Sequence, residues 1–183
     1  FSKTEPSPER TAFVRFRRTL ARLGLGEKLF EAITEQLCRQ QVSVKQGTLV
    51  DATIIASASK DDEDARWIKH KGRKAVHGYK AHVACDENTA LIEMLKVTPA
   101  NVNDGKAGCG VIPDDPGDVY ADSAYRGRRF REAVEVRGGR AHVVATAVWA
   151  RDEEDGAAKL KAINGPIHKV RCRIEKIFGT CKQ

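Results

Sequence analysis

The sequence lacks several features that mark common classes of protein. It has no run of about 18 apolar residues, the length that a membrane-spanning helix needs. The opening residues, FSKTEPSPER, contain no apolar stretch typical of secretory signals and no initiating Met. The five cysteines include no CxxC pair, so we expect free thiols in a reducing, cytoplasmic setting rather than a disulfide framework.

Motifs for several enzyme classes are also missing. There is no GxSxG, which argues against a serine hydrolase, and no Walker loop or GxGxxG. A zinc site at His70, His77, His82 and Cys85 is disfavoured, since zinc sites use compact ligand pairs. His82 and Cys85 are three apart on a predicted strand and therefore point to opposite faces.

Basic charge is present in excess. The 183 residues contain 32 Lys and Arg against 25 Asp and Glu, a net charge of +7. This excess favours a polyanionic partner, nucleic acid above all, although it could also serve solubility. The arginines of the first predicted helix, TAFVRFRRTLARL, fit a solvated basic face better than a DNA contact.

The hydrophobic pattern predicts two helices followed by a mixed unit. Apolar residues recur at three and four between Thr11 and Gln40, interrupted by Gly24 and Gly26. Strands are predicted at GTLVDATIIAS, at a hairpin of GYKAHVACD and ALIEMLKVTP, and at GDVYADSAY and AHVVATAV. Helical patterns occur at GRRFREAVEVRGG and IHKVRCRIEKIFGTC, and TPANVNDGKAG is a short helix or a loop. KDDEDARWIKHKGRK is predicted to be a charged loop, and RDEEDGAAKLKAINGP to be loop-like, with a partly helical conformation as the alternative.

This order predicts an α/β fold with a mixed five-stranded sheet flanked by helices. Residues 1–44 form an N-terminal tail and short helical segment. Residues 45–183 form the main domain.

Two aspartates occupy unusual places in predicted strands. Asp51 lies within an apolar strand, where a carboxylate needs a partner such as a cation. Asp122 follows the strand that contains Tyr120, and ligands of open α/β sheets gather beyond such strand ends. The structural alternatives are an edge-strand or salt-bridged Asp51 and an Asp122 that caps a helix or turn.

The last predicted helix contains one acid, Glu175, among basic residues. At about 100° per residue, His168, Arg171, Glu175 and Lys182 fall in one stripe about 60° wide, beside an apolar stripe. Glu175 could simply pair with Arg171 at i,i+4. It could also join Asp51 and Asp122, because carboxylates hold the divalent ions used in phosphoryl transfer.

Several stretches together resemble the DDE transposases of bacterial insertion sequences, of the "insertion sequence five" kind. The stretches are VDATIIA, DARWIKHKGRKAVHGYKAHVACDE, VTPANVNDG and VYADSAYRG. The family's C-terminal signature is Tyr, two residues, Arg, three residues, Glu, six residues, Lys. Arg171, Glu175 and Lys182 match it, whereas His168 replaces the tyrosine, which we expect to weaken DNA positioning but not the metal site.

The resemblance implies a ribonuclease-H-like catalytic domain that cleaves and joins DNA. Asp51, Asp122 and Glu175 would be catalytic and would hold two Mg²⁺ ions, with Mn²⁺ as a substitute. The expected partners are double-stranded DNA, both terminal inverted repeats and target, and further copies of the chain, without membrane association and near the nucleoid. DNA contacts are expected from His168, Arg171, Lys182, Lys69, Lys71, Arg73, Lys74, Lys80 and Arg126. The alternative for the basic segment Lys69, Lys71, Arg73, Lys74 and Lys80 is a solvated surface.

A second interpretation is a catalytically inactive fragment. Family members usually extend further on both sides, and we expect the chain to be truncated at its C-terminus. Such a fragment would bind DNA without cutting it, or would be a remnant without function.

Overall fold

A computed structural model of the chain describes residues 8–40, 47–70 and 72–181, and it divides the chain into two compact units, residues 1–43 and 44–183. The first unit contains helix α1 (Arg10–Arg22) and helix α2 (Gly26–Arg39). Gly24 lies between them with φ of 63°, a backbone conformation that glycine adopts without steric cost. The predicted pair of helices and the break between them are confirmed.

The second unit is built on one six-stranded sheet. The strand order is β2-β3-β1-β5-β6, and β4 also pairs with β3. β3 is antiparallel to β1, β2 and β4, whereas β5 is parallel to both β1 and β6. This mixed sheet has the topology of a ribonuclease-H-like fold, as predicted. The strands are β1 (Gly47–Ala56), β2 (Arg66–Ile68), β3 (Val76–Asp86), β4 (Ile92–Pro99), β5 (Asp118–Ala121) and β6 (Arg140–Val143).

Helices cover both faces of the sheet. Alternate residues of β1 point to opposite faces, and two separate apolar clusters result. Val50 packs with Tyr125 and Phe130 in one cluster. Leu49 packs with Ile174 and Ile177 in the other. The helices are α3 (Asp104–Gly108), α4 (Arg128–Glu135) and α5 (Glu153–Cys181), with short 3₁₀ turns at Cys109–Val111 and Ser123–Tyr125.

Two predicted segments differ from the structure. The predicted charged loop KDDEDARWIKHKGRK contains β2, a short sixth strand that extends the edge of β3. The predicted loop before the last helix is instead the first half of α5, which runs through Pro166. Residues 157–162, AAKLKA, have high helix propensity, and burial of Ile167, Ile174 and Ile177 in the core favours one continuous helix despite the hydrogen bond that Pro166 removes.

The structure contains no candidate membrane helix in the part of the chain that it describes. Even α5, with 29 residues, is not apolar enough to cross a bilayer.

Candidate functional site

Asp51 and Asp122 lie on neighbouring parallel strands. Val50 of β1 is aligned with Ala121, the last residue of β5. Asp51 is the next residue of β1, and Asp122 is the first residue after β5. The two carboxylates are close enough that the charge of Asp122 raises the pKa of Asp51. The sheet therefore places both predicted acids at the carboxyl end of β5, where the parallel strands β1 and β5 stop pairing.

Each aspartate also has a structural role. The Asp51 side chain accepts a hydrogen bond from its neighbour's backbone, Ala52 N, at 2.8 Å. Asp122 caps the following 3₁₀ turn by accepting from Ala124 N at 2.8 Å. The turn-capping alternative for Asp122 is thus correct, and it fixes the carboxylate beside Asp51 rather than competing with a functional role.

Arg171 bridges the long helix to β1. Its Nη2 donates to Asp51 Oδ2 at 3.0 Å, and both side chains are about four-fifths buried. Burial raises the pKa of Asp51, while the Ala52 amide and the Arg171 charge oppose that shift. Arg171 therefore contributes the positive charge that Asp51 needs, and the salt-bridged alternative for Asp51 is also correct.

Glu175 lies one helical turn beyond Arg171 and is exposed. It does not make the i,i+4 ion pair with Arg171 that the sequence allows, since Arg171 is paired with Asp51. Instead, His168, Arg171 and Glu175 line one cavity of about 230 Å³ together with Cys172 and Ile174. His168, Arg171 and Glu175 of the predicted charged stripe therefore lie together, and Ile174 and Ile177 beside them are in the core.

The three predicted acids do not form a closed cluster. Within residues 8–40, 47–70 and 72–181, no group of three or more His, Cys, Asp or Glu side chains is arranged to hold a metal ion. Asp51 and Asp122 come together, but Glu175 does not join them in such a group. The assignment of all three as metal ligands stays a prediction.

The donor set at Asp51 and Asp122 nevertheless suits a hard divalent cation. Carboxylate oxygens are the ligands that Mg²⁺ prefers, and Mg²⁺ is commonly held by one or two carboxylates together with substrate phosphates. Burial raises the pKa of Asp51 most, but the nearby Asp122 charge, which raises it further, and the pairing with a guanidinium both indicate that this position favours a positive charge. Asp51 and Asp122 are the residues that would hold such an ion.

Tyr125 is buried near the acidic pair and was not predicted to take part in the site. It is 1% exposed, and its hydroxyl has no hydrogen-bond partner among the described residues. Burial raises the pKa of Tyr125, and the charges of Asp51, Asp104 and Asp122 raise it further. Only the family-like stretch VYADSAYRG pointed to this residue.

Apart from His168 and Arg171, which line the cavity described above, the predicted DNA-binding residues fall into three groups. Lys69, Arg73 and Lys74 are exposed on the segment between β2 and β3, and Arg126 is exposed after the 3₁₀ turn. Lys80 differs, because it is buried. Lys71 and Lys182 lie outside the described residues.

The burial of Lys80 corrects the prediction that it contacts DNA. Its Nζ donates to Asp104 Oδ1 at 2.7 Å and to Val102 O at 2.9 Å. Its side chain is 7% exposed. Lys80 is on β3 and points to the face covered by α3, so it is an internal partner of Asp104 rather than a surface cation.

Asn164 is a second residue that the sequence did not reveal. Its side-chain amide donates to Ala145 O at 2.9 Å, and its carbonyl accepts from Ala145 N at 2.8 Å. This paired contact holds α5 to the chain just beyond β6. It fixes the position of the helix that contains Arg171 and Glu175.

Asp51 within β1 and Asp122 directly after β5 bring two carboxylates together where these central strands of a ribonuclease-H-like sheet stop pairing, an arrangement suited to divalent ions and phosphates. The family model described as "Transposase DDE domain" matches residues 43–183, so the chain belongs to that family. Membership implies a role in DNA transposition, with DNA as substrate and phosphoryl transfer as chemistry. No solved structure matches the chain significantly.

Proposed function

We propose that the chain is a transposase of the "insertion sequence five" kind, which cleaves DNA at the element's ends and transfers the freed strand. The observation that carries the proposal is the meeting of Asp51 and Asp122 on adjacent parallel strands, within a domain of the matching family. The site needs no protein nucleophile, because water or a DNA 3′-OH serves as the attacking group.

The acids take distinct roles in this proposal. Asp51 and Asp122 hold divalent ions, Mg²⁺ or Mn²⁺, and Glu175 completes the site from α5. When bound, such ions polarise the scissile phosphate and favour deprotonation of the attacking hydroxyl. The chain itself supplies rigid placement, since β1 fixes Asp51 and the Ala124 amide fixes Asp122.

Arg171 has two competing partners. In the structure its guanidinium neutralises Asp51. If Asp51 were to hold a cation, it would need the charge of Arg171 less, and Arg171 would be available for the bidentate phosphate contact for which arginine is suited. His168 and Glu175 line the same cavity as Arg171, so a phosphate bound there would lie beside both side chains.

The exposed cations provide the remaining DNA contacts. Lys69, Arg73, Lys74 and Arg126 are available for phosphates, which position the duplex without reading its sequence. We further propose that the chain acts on paired ends as a homo-oligomer, with terminal inverted repeats and target DNA as its substrates.

The test is nicking of a supercoiled plasmid that contains the terminal repeats flanking the gene in its host DNA. Nicking should require Mg²⁺ or Mn²⁺ and should fall at least about 100-fold in Asp122→Ala and Glu175→Ala. Glu135→Ala, which removes an exposed acid of α4, is the matched control and should retain full activity. Equal activity in all four proteins would overturn the catalytic assignment. DNA binding without nicking in the wild type would favour the inactive fragment.

A further inference from the structure

A groove of about 520 Å³ lies beside the acidic pair of Asp51 and Asp122. It is lined by residues of β1, β3, α3 and the segment between β2 and β3. This volume is within the range of about 300–1,000 Å³ typical of small-ligand sites. It is too small for a DNA duplex but large enough for a nucleotide. The lining residues are Ala52, Thr53, Ile54, His70, Arg73, Lys80 and Asp104.

The groove begins where the acidic pair ends. β5 pairs with β1 only as far as Val50, and Ala52 follows Asp51 directly. Beyond Val50, one edge of β1 therefore has no strand partner within the described residues. A nucleotide in the groove would be covalently continuous with a phosphate held at Asp51 and Asp122.

The free edge of β1 presents backbone groups to the groove. Successive residues of a strand direct their N–H and C=O groups to alternate edges. Ser57 N donates to His77 O of β3, so Ile54 directs its N–H and C=O away from β3, towards the open edge. The edge thus offers both a donor and an acceptor for a hydrogen-bonding ligand.

Charge differs between the rim and the floor of the groove. Arg73 and His70 are exposed at the rim, where a phosphate would be attracted. At the floor, Lys80 is neutralised by Asp104, whose carboxylate is still 22% exposed. This neutral pair offers a phosphate no net attraction, whereas carbonyl and carboxylate oxygens at the floor accept hydrogen bonds from the amino groups of a nucleobase.

From this arrangement we propose that the groove binds one unpaired nucleotide of the DNA strand at the cleavage site, with its phosphate at Arg73 and its base on the floor. The inference rests on the proposed function for its substrate, DNA. The contact with an unpaired base would separate the strands next to the acidic pair. It would also give the site a preference for DNA ends that open easily.

The experiment compares two fluorescein-labelled probes in EDTA, so that cleavage plays no part. One is the single-stranded tetranucleotide of deoxyadenosine, and the other is an abasic tetramer with the same phosphates. Fluorescence anisotropy should show the base-containing probe binding about tenfold more tightly than the abasic one. Equal affinities in the wild-type protein would overturn the proposal whatever any variant does.

Two variants locate the binding. Ala52→Phe, which fills the groove, should reduce the affinity for the base-containing probe to the abasic level and leave abasic binding unchanged. Arg73→Ala, on an exposed segment that does not endanger folding, should weaken both probes. Arg128→Ala is the control, because its side chain is 91% exposed on α4 and lies outside the groove.

The outcomes separate this proposal from the proposed function. Base-dependent binding that Arg73→Ala leaves unchanged would place the base elsewhere and refute the groove. Groove-dependent binding in a protein that nicks no plasmid would leave the groove standing and refute the catalytic role. Normal nicking with equal binding of both probes would refute the groove and leave the catalytic role standing.

Discussion

Removing the charge of Asp104 should destabilise the sheet unit by leaving a buried ammonium without its counter-ion. Lys80 is 5% exposed, and its Nζ donates to Asp104 Oδ1 at 2.7 Å. Breaking a buried ion pair by removing one partner typically costs about 3–5 kcal/mol. Asp104 retains 22% exposure, so water partly screens the pair, and we expect Asp104→Asn to lower the free energy of unfolding by about 3 kcal/mol.

A second substitution should reverse most of that loss. Replacing a buried pair by neutral groups of similar volume is often close to neutral. The double variant Lys80→Met with Asp104→Asn should therefore regain stability to within about 1 kcal/mol of the wild type. Urea unfolding followed by tryptophan fluorescence is a suitable assay, since Trp67 is on β2 and pairs with β3.

The exposed pair of Arg128 and Glu132 provides the control. Its atoms are 2.6 Å apart, but the side chains are 91% and 51% exposed. Glu132→Gln should thus cost less than about 1 kcal/mol. A loss below about 1 kcal/mol in Asp104→Asn, or a double variant as unstable as the single one, would refute the argument. Lys80 would then be solvated and again a candidate for DNA contact.

Three further predictions concern residues around the site. Tyr125→Phe removes a buried hydroxyl without a partner, so in thermal unfolding it should leave stability unchanged or raise it by about 1 kcal/mol. A loss of stability of more than about 1 kcal/mol would mean that the hydroxyl is hydrogen-bonded. Asn164→Ala should cost about 1–3 kcal/mol by the same assay, since it removes both bonds to Ala145, and no change would show that α5 is held otherwise. Burial lowers the pKa of His82 below its usual 6.5, so the imidazole binds a proton more readily in the unfolded chain than in the folded one. Stability should therefore fall as the pH drops below 6.5. His82→Gln should show a smaller fall between pH 7.5 and 5.5, and an identical fall would exclude His82 as a cause.

Local sequence patterns predicted the elements well where burial determines them. The β-branched run of β1 and the alternating hairpin of β3 and β4 have few other ways to bury their apolar side chains. The pattern predicted a strand at 48–55 and the structure has Gly47–Ala56. The start of α5 was missed because a proline and a glycine near its middle are strong local signals for a break, whereas docking against the sheet favours one continuous helix.

The site was predictable in part, where strand pairing determines which residues meet. Strand order alone brings Asp51 beside Asp122, since parallel pairing in a ribonuclease-H-like sheet places their strand ends together. The contact of Arg171 with Asp51 spans 120 residues and depends on how α5 docks, which no local pattern specifies. The burial of Lys80 likewise depends on α3 covering β3, so a basic residue near other basic residues gave a misleading surface signal.

The most direct test of the central claim is Mn²⁺ binding at the acidic pair, measured by electron paramagnetic resonance. The wild type should bind Mn²⁺, and Asp51→Asn and Asp122→Asn should each lose at least about tenfold in affinity, because each contributes one carboxylate to the ion. Glu135→Gln, with its acid on α4, should bind as the wild type does. If Asp122→Asn binds Mn²⁺ as tightly as the wild type, the two aspartates do not form a metal site and the account is wrong.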